Sequence, residues 1–429
     1  MNILIVGVSG FIGNHLYHAL LEQGHHLKGC SRNSVSGINW KAFSFQQADE
    51  IWEQLLDDVD LVFNAAGIYL ESENTTFNDV HNNGPIKLFE VCNKKQIRVI
   101  QISAIGAEQQ HPVCEFLNSK RKADQFLLKS DIPQVVLYPG IVLGEGGKST
   151  QQLSLLARQY IRLLVFSRKQ KLPLVSIYQL TELIVNIINN WPDKNLCKVV
   201  IAKPESTESL LRNLRRWMNL NKNTGFEIYL PITFVSLIFK IYPGFSLGVF
   251  NRHSIEMLKK YSQAKELQIK IEQSSGEQMY RAIADKTASE SLLRSKASGA
   301  FIKSGKLTSL FYFNLLTLSF IWIMSGISSL VNIEQSRELI NWLGFNVHSG
   351  DILILAASIA DILLGIGLWF LRFRSLVIYM QIGLMIIYSI IISLYMPLYW
   401  LHPFAPLIKN IAMLVLSLYL LMEEKKAYV

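Results

Sequence analysis

Met1-Asn2-Ile3-Leu4-Ile5-Val6-Gly7-Val8-Ser9-Gly10-Phe11-Ile12-Gly13 opens the chain and sets its architecture. Ile3–Val6 is a short continuous apolar run stopped by glycine, the pattern of a buried strand. A Gly-x-x-Gly-x-x-Gly turn follows at Gly7, Gly10 and Gly13, and a helix is predicted over about Phe11–Glu22. Glycines there let an anion approach backbone N–H groups and rest on a helix N-terminus, so the turn predicts a dinucleotide pyrophosphate site. Ile3–Val6 is too short for the apolar core of a signal peptide, and no cleavable leader is expected.

Outward from this turn the period alternates. Strands are predicted at His26–Ser31, Asp60–Asn64, Val99–Ser103 and Gln134–Tyr138, with helices at Ile51–Leu56, Ile86–Lys94 and Glu115–Leu128. Alternating strands and helices imply a parallel sheet with crossover helices. The expected fold is an α/β Rossmann-like doubly wound parallel sheet with a small substrate subdomain. The second strand ends Cys30-Ser31-Arg32-Asn33, without the acid that would hold an adenosine ribose. Ser31 and Arg32 suit a 2′-phosphate instead, so NADP(H) is favoured over NAD(H), the alternative being that Arg32 is a solvated surface residue.

The other end of the chain has a different composition. Four apolar runs, Leu307–Val331, Ile352–Leu371, Leu376–Leu398 and Phe404–Met422, approach or exceed the roughly 20 residues that a membrane helix needs. An all-α four-helix transmembrane domain is therefore expected. Lys303 and Lys306 precede the first run, Arg372 and Arg374 separate the second from the third, and Lys425 and Lys426 follow the fourth. The alternate loops are poor in Lys and Arg. This pattern places the head and both termini in the cytoplasm of a multi-pass protein, expected in a bacterial inner membrane.

The net charge of +9 clusters in sequence around Arg212–Lys222, Arg252–Lys270 and Arg294–Lys306, toward the tail. Attraction to anionic headgroups explains it more simply than nucleic acid, for which no binding module is present. Four cysteines, Cys30, Cys92, Cys114 and Cys197, are far apart and form no Cys-x-x-Cys pair. Reduced thiols are expected, with neither a metal site nor a disulfide framework.

Val6–Gly13, Asn64–Gly67, Val80-His81-Asn82-Asn83-Gly84-Pro85, Ile102–Ala107 and Leu137-Tyr138-Pro139-Gly140 together resemble the extended and atypical short-chain dehydrogenase/reductases. The likeness is to epimerase/dehydratase-like members related to the NADPH-binding accessory subunit of respiratory complex I. Ile323–Gly326 and His402–Asn410 resemble a DoxX-like membrane domain. The resemblance implies a cofactor site at Gly7, Ser9, Gly10, Phe11, Ile12, Gly13, Ser31, Arg32, Ala65, Ala66, Gly67, Lys120, Pro139 and Gly140. It also implies a Tyr-x-x-x-Lys pair whose tyrosine exchanges a proton with the substrate, beside a polarising serine. Ser103 and Lys120 match the serine and lysine, but the tyrosine position is Phe116, which has no titratable group. Tyr138 stands where an arginine is common, and Ile177-Tyr178-Gln179 where an acidic pair is usual. These departures weigh against sugar-nucleotide epimerisation or dehydration. Tyr69, His111, Cys114 and Glu115 are other candidate proton sources, while His81 reads as a helix-entry residue.

Between the two ends, Thr207–Leu220 predicts an amphipathic helix carrying Arg212, Arg215 and Arg216. Tyr229–Phe250 is apolar but interrupted by Pro231, Lys240, Pro243 and Gly244. It fits a membrane-interface segment, a cover over a lipophilic pocket, or a buried helix. Residues 273–300 read as a solvated linker or docking helix. Asp361 falls within the second apolar run, where it needs a partner or a proton. Asn314, Gln381, Lys409 and Asn410 are candidate partners, and Lys409 can instead snorkel.

These readings divide the chain into a cofactor domain at 1–205, a substrate-side and membrane-docking region at 206–305, and a DoxX-like membrane domain at 306–429. The expected function is a membrane-anchored oxidoreductase acting on a lipophilic carbonyl or quinone-type acceptor. The alternative is a non-catalytic NADPH-binding scaffold of a membrane protein complex. A small-solute or redox carrier built on the tail is a third class.

Overall fold

The computed structural model describes residues 1–33, 37–42, 50–72, 74–164, 170–220, 226–241, 253–257, 283–342, 347–370, 373–395, 397–401 and 406–427. Arg372, His402–Ala405 and most of the basic residues between 221 and 282 lie outside them. The chain divides into two compact units. One holds Met1–Ile241 and Leu247–Ile302, and the other holds Lys303–Val429 with Tyr242–Ser246.

The first unit is built on seven parallel strands: β1 (Asn2–Val6), β2 (His26–Ser31), β3 (Trp40–Ala42), β4 (Leu61–Asn64), β5 (Arg98–Ile102), β6 (Gln134–Pro139) and β7 (Leu196–Val200). Their order is β7-β6-β5-β4-β1-β2-β3. Val6 pairs with Cys30 on one side and Asn64 on the other, so the order reverses at β1. Ligands of doubly wound sheets bind at that reversal, beyond the carboxyl ends of the strands. Helices α1 (Phe11–Glu22), α2 (Glu50–Leu55), α3 (Gly84–Lys95), α4 (Glu115–Leu128), α5 (Lys148–Arg158) and α6 (Ile177–Asn189) follow in turn. Two apolar cores form, one around Leu4, Val62, Phe89, Val99 and Leu127, the other around Ile3, Ile5, Leu16, Phe63 and Ile184. Alternate residues of a strand point to opposite faces, so β1 feeds both cores.

Residues 206–241 and 283–302 pack into this same unit rather than forming a body of their own. Helix α7 (Thr207–Trp217) buries Leu210, Leu214 and Trp217. Arg212 and Arg216 remain on its outside. Strand Phe226–Tyr229 pairs with Ile161–Leu164, and α8 (Ile232–Ile241) follows. The described part of the expected linker is not solvated throughout. Helix α9 (Ala288–Leu292) starts with a Thr287–Glu290 capping box, and Ala288, Leu292 and Ala297 join the Trp217 core. Buried Glu205 accepts from the Ser289 amide and hydroxyl.

The second unit is helical: α10 (Gly299–Val331), α11 (Ile333–Trp342), α12 (Val347–Gly367), α13 (Arg374–Tyr395) and α14 (Pro406–Ala427). By length and composition, three helices among the described residues can cross a bilayer: Gly299–Val331, His348–Gly367 and Arg374–Tyr395. The described part of the fourth apolar run, from Pro406 on, lies in α14. Leu315, Leu318, Leu368, Ile378 and Leu420 fill the interior, whereas Phe313, Phe320, Leu363 and Leu376 are exposed. Small residues bring α10 and α12 together. A Cβ on Gly326 would stand 2.4 Å from the Ser358 carbonyl, and one on Gly365 would stand 2.9 Å from that of Ser319.

Candidate functional site

Gly7 has φ +82°, a conformation that side chains resist, and a Cβ there would come within 2.9 Å of the Ala66 backbone. Gly10 donates its N–H to the Gly7 carbonyl at 2.9 Å and caps α1. A Cβ on Gly13 would lie 2.4 Å from the Gly7 oxygen, so only glycine lets α1 sit this close to β1. Gly10 brings no side chain over the helix start, and the first-turn amides are the donors an anion would use. This cradle fits a dinucleotide pyrophosphate.

A cleft opens over the turn, lined by Val6, Gly7, Ser9, Gly10, Cys30, Ser31, Arg32, Ala65, Ala66, Gly67, Ile68, Thr75, Asp79 and Val80. It gathers eight of the residues expected from sequence: Gly7, Ser9, Gly10, Ser31, Arg32, Ala65, Ala66 and Gly67. Gly13 supports the turn from behind. Phe11 lies against Gly144 and Gly147, and Gly140 packs against the Pro173 carbonyl. Pro139 ends β6 and Ile12 packs on an apolar core. Thr75, Asp79 and Val80 were not foreseen as lining; they come from a loop and a π-helical segment at Asn78–Asn83, whose sequence carries no glycine signature.

Ser31 and Arg32 take different roles. The buried Ser31 hydroxyl donates to the Asn33 carbonyl at 2.8 Å and accepts from Trp40 Nε1 at 2.9 Å, so it is engaged within the protein. Arg32 Nη1 donates to Thr75 Oγ1 at 3.2 Å across the end of the cleft, with its guanidinium exposed.

Lys120 and Phe116 share one face of α4. The buried Lys120 Nζ donates to the Ile102 carbonyl at 3.3 Å, and a Cβ on Gly67 would lie 3.7 Å from it. Burial pulls the ammonium down to about 8, against the opposing pull of Asp124. Phe116 is buried among rings: Tyr69 is stacked on it at 5.8 Å, Phe77 is edge-on at 5.8 Å, and His81 is edge-on at 5.3 Å. The Lys120 ammonium stands 5.9 Å from its ring centre.

Ser103 is engaged by a buried carboxylate. Its hydroxyl donates to Asp124 Oδ2 at 2.5 Å, and the buried carboxylate also accepts from Gln101 Nε2 at 3.3 Å. Asn64 donates to Gln101 Oε1 at 2.8 Å, and its own carbonyl oxygen accepts the Ala66 N–H at 3.2 Å. A buried polar chain thus runs from α4 to the Ala65-Ala66-Gly67 turn. Burial pushes Asp124 up to about 6, while Ser103, Lys120 and Gln101 hold it down.

His81 is buried, as a helix-entry residue bonded to nearby backbone should be. Its Nε2 accepts the Ile68 N–H at 3.0 Å, and its Nδ1 meets the Ser119 hydroxyl at 3.1 Å. Burial, then Lys120, hold the imidazole well below its ordinary value. Among the other candidate proton sources, His111 and Glu115 are exposed. Cys114 is buried in the core, with its thiol pushed up to about 11 by burial. All four cysteines are unpaired, and no cluster of three metal-ligating side chains occurs among the described residues.

Residues 3–163 match the NAD dependent epimerase/dehydratase family, and residues 319–418 match the DoxX-like family. No curated protein matches. Similar solved structures include MoeE5 in complex with UDP-glucuronic acid and NAD, at 15% identity and TM-score 0.46, covering 54% of this chain and 86% of that one. The Bordetella bronchiseptica enzyme WbmH in complex with NAD+ has 16% identity and TM-score 0.44, covering 53% and 85%. UDP-glucuronic acid 4-epimerase from Bacillus cereus has 17% identity and TM-score 0.44, covering 60% and 100%. The chain carries an NAD dependent epimerase/dehydratase family domain at its N-terminal end and a DoxX-like domain at its C-terminal end.

Proposed function

We propose that the protein is a membrane-anchored, NADP(H)-binding oxidoreductase whose acceptor is lipophilic and of quinone type. The observation that carries this reading is Phe116 in an aromatic wall beside the Lys120 ammonium. When bound, the nicotinamide would supply or take a hydride. The glycine turn would hold its pyrophosphate, and Lys120 would bind its ribose. Arg32, with Thr75, would meet a 2′-phosphate, which favours NADP(H) over NAD(H).

Phe116 discriminates between acceptors. A reduced simple carbonyl becomes an alcohol, so its oxygen needs an acid at that moment. A reduced quinone oxygen leaves as a phenolate, which water protonates later. A wall of Tyr69, Phe77 and Phe116 suits a flat apolar ring. Tyr160, Phe226, Ile228, Tyr229, Phe234 and Leu237 are exposed on one strand pair and the following helix. Such a patch supports docking of this edge on lipid, from which the acceptor would come. The Lys and Arg distribution supports a cytoplasmic head on a bacterial inner membrane.

The test is to purify the protein in detergent, quantify NADPH released on denaturation, and follow its oxidation with quinone and aldehyde panels. Quinone turnover that disappears in Lys120→Ala is the expected result. Bound NADPH that stays reduced against every acceptor would overturn it. That second outcome fits the non-catalytic scaffold of a membrane complex, which the engagement of Ser103 by Asp124 favours.

A further inference from the structure

Asp361 lies in α12 with 6% of its surface exposed, inside the span His348–Gly367. Gly367 lies six positions further on, about 9 Å along a helix. An ionised carboxylate there requires a partner.

Three of the four candidate partners donate elsewhere. Asn314 donates to the Leu416 carbonyl at 2.9 Å, Gln381 to the Leu364 carbonyl at 3.1 Å, and Asn410 to Ser389 Oγ at 3.0 Å. Lys409 is exposed on α14. Asp361 Oδ2 accepts only from Ser325 Oγ, at 2.9 Å, and no cation pairs with it among the described residues. Among the described residues Oδ1 has no partner; neither does Ser358 Oγ one turn earlier, nor Trp322 Nε1 one turn before Ser325. Ser358 and Trp322 are buried as well. Tyr388 of α13 is a titratable neighbour, and a phenol brings no positive charge to pair with a carboxylate.

We propose that Asp361 is a proton-binding site within the membrane domain. Its resident form is the neutral acid, with the proton on Oδ1 and with Ser325 donating to Oδ2. One hydroxyl cannot offset an ionised carboxylate in an apolar bundle, whereas a bound proton removes the charge. The site exchanges its proton with whatever acceptor reaches Oδ1, so this domain handles protons as well as anchoring the chain. The inference stands apart from the cofactor reading, because it uses no residue of the head.

Dicyclohexylcarbodiimide tests it on the full chain in vesicles of phosphatidylethanolamine and phosphatidylglycerol. The acid O–H adds across one C=N bond: the oxygen bonds to the central carbon and the proton goes to nitrogen. Rearrangement to the N-acylurea follows, with no leaving group and no change of oxidation state. Peptide mass spectrometry should find the adduct on Asp361, and across a rising pH range its yield should fall as the proton is lost. It should vanish in Asp361→Asn, which keeps the shape, and return in Asp361→Glu, which keeps the acid. An unlabelled wild-type Asp361 across that range would overturn the proposal. So would an adduct indifferent to pH, or equal labelling by a water-soluble carbodiimide.

Discussion

His81 Nε2 accepts the Ile68 amide at 3.0 Å while its Nδ1 meets Ser119 at 3.1 Å, so one imidazole ties the cleft loop to the helix that carries Lys120. The ring is buried and neutral. An unfolded chain would take up a proton near pH 6.5, and the folded one would not. The stability that His81 confers is therefore present above about pH 6.5 and lost as pH falls toward its depressed folded value. His81→Gln should flatten that dependence, and His81→Ala should cost about 2 kcal/mol for the bonds it removes. Thermal midpoints at pH about 5.5 and about 7.5 check both.

Arg32 reaches across the end of the cleft to Thr75. Arg32→Ala should weaken NADPH binding roughly 10- to 100-fold, the worth of one charge-assisted hydrogen bond, and leave NADH binding within about twofold. Calorimetric titration with both nucleotides reads the difference. Equal losses would remove the case for a 2′-phosphate at this position.

Phe116→Tyr restores a phenol where the family's acid stands. It should raise aldehyde reduction by about 100-fold or more, while changing quinone reduction little. NADPH oxidation with matched aldehydes and quinones measures the ratio.

Lys120 carries an ammonium that burial brings down to about 8. Loss of its proton removes the charge that would face the ribose. Cofactor affinity should fall as pH climbs through about 8, and Lys120→Met should show the weak affinity at every pH. Fluorescence of bound NADPH across the range gives both curves.

Phe234 is 55% exposed. A spin label at Phe234→Cys in lipid vesicles should collide more with oxygen than with a polar nickel chelate, as a site in the interface does. A label at exposed Glu208→Cys should show the reverse. Water-like behaviour at Phe234 would remove the docking reading.

Much of the head was legible because its signals are local. β2 at His26–Ser31, α1 at Phe11–Glu22 and α4 at Glu115–Leu128 have the limits expected from periodicity and glycine placement. The direction of Ser103 was not read, although the strand period places it on the Gln101 face, and Asp124 lies one turn beyond Lys120. For residues 273–300 composition left a solvated linker and a docking helix both open; the described part packs Ala288 and Leu292 with Trp217 and Phe301, a contact that only the folded core reveals. The Asp361 environment depends on the rotation of four helices. Composition supplies candidate partners, but only packing shows that Asn314, Gln381 and Asn410 donate elsewhere and that Lys409 is exposed.

The close approach of α10 and α12 has a mechanical consequence. Gly326 meets Ser358, and Gly365 meets Ser319, on either side of the Ser325–Asp361 bond. A methyl group at either glycine would wedge the two backbones apart at a point beside that bond. The two glycines thus act as the spacer that sets how near Ser325 stands to Asp361, and a change as small as alanine in one helix would be felt as a longer bond to the other.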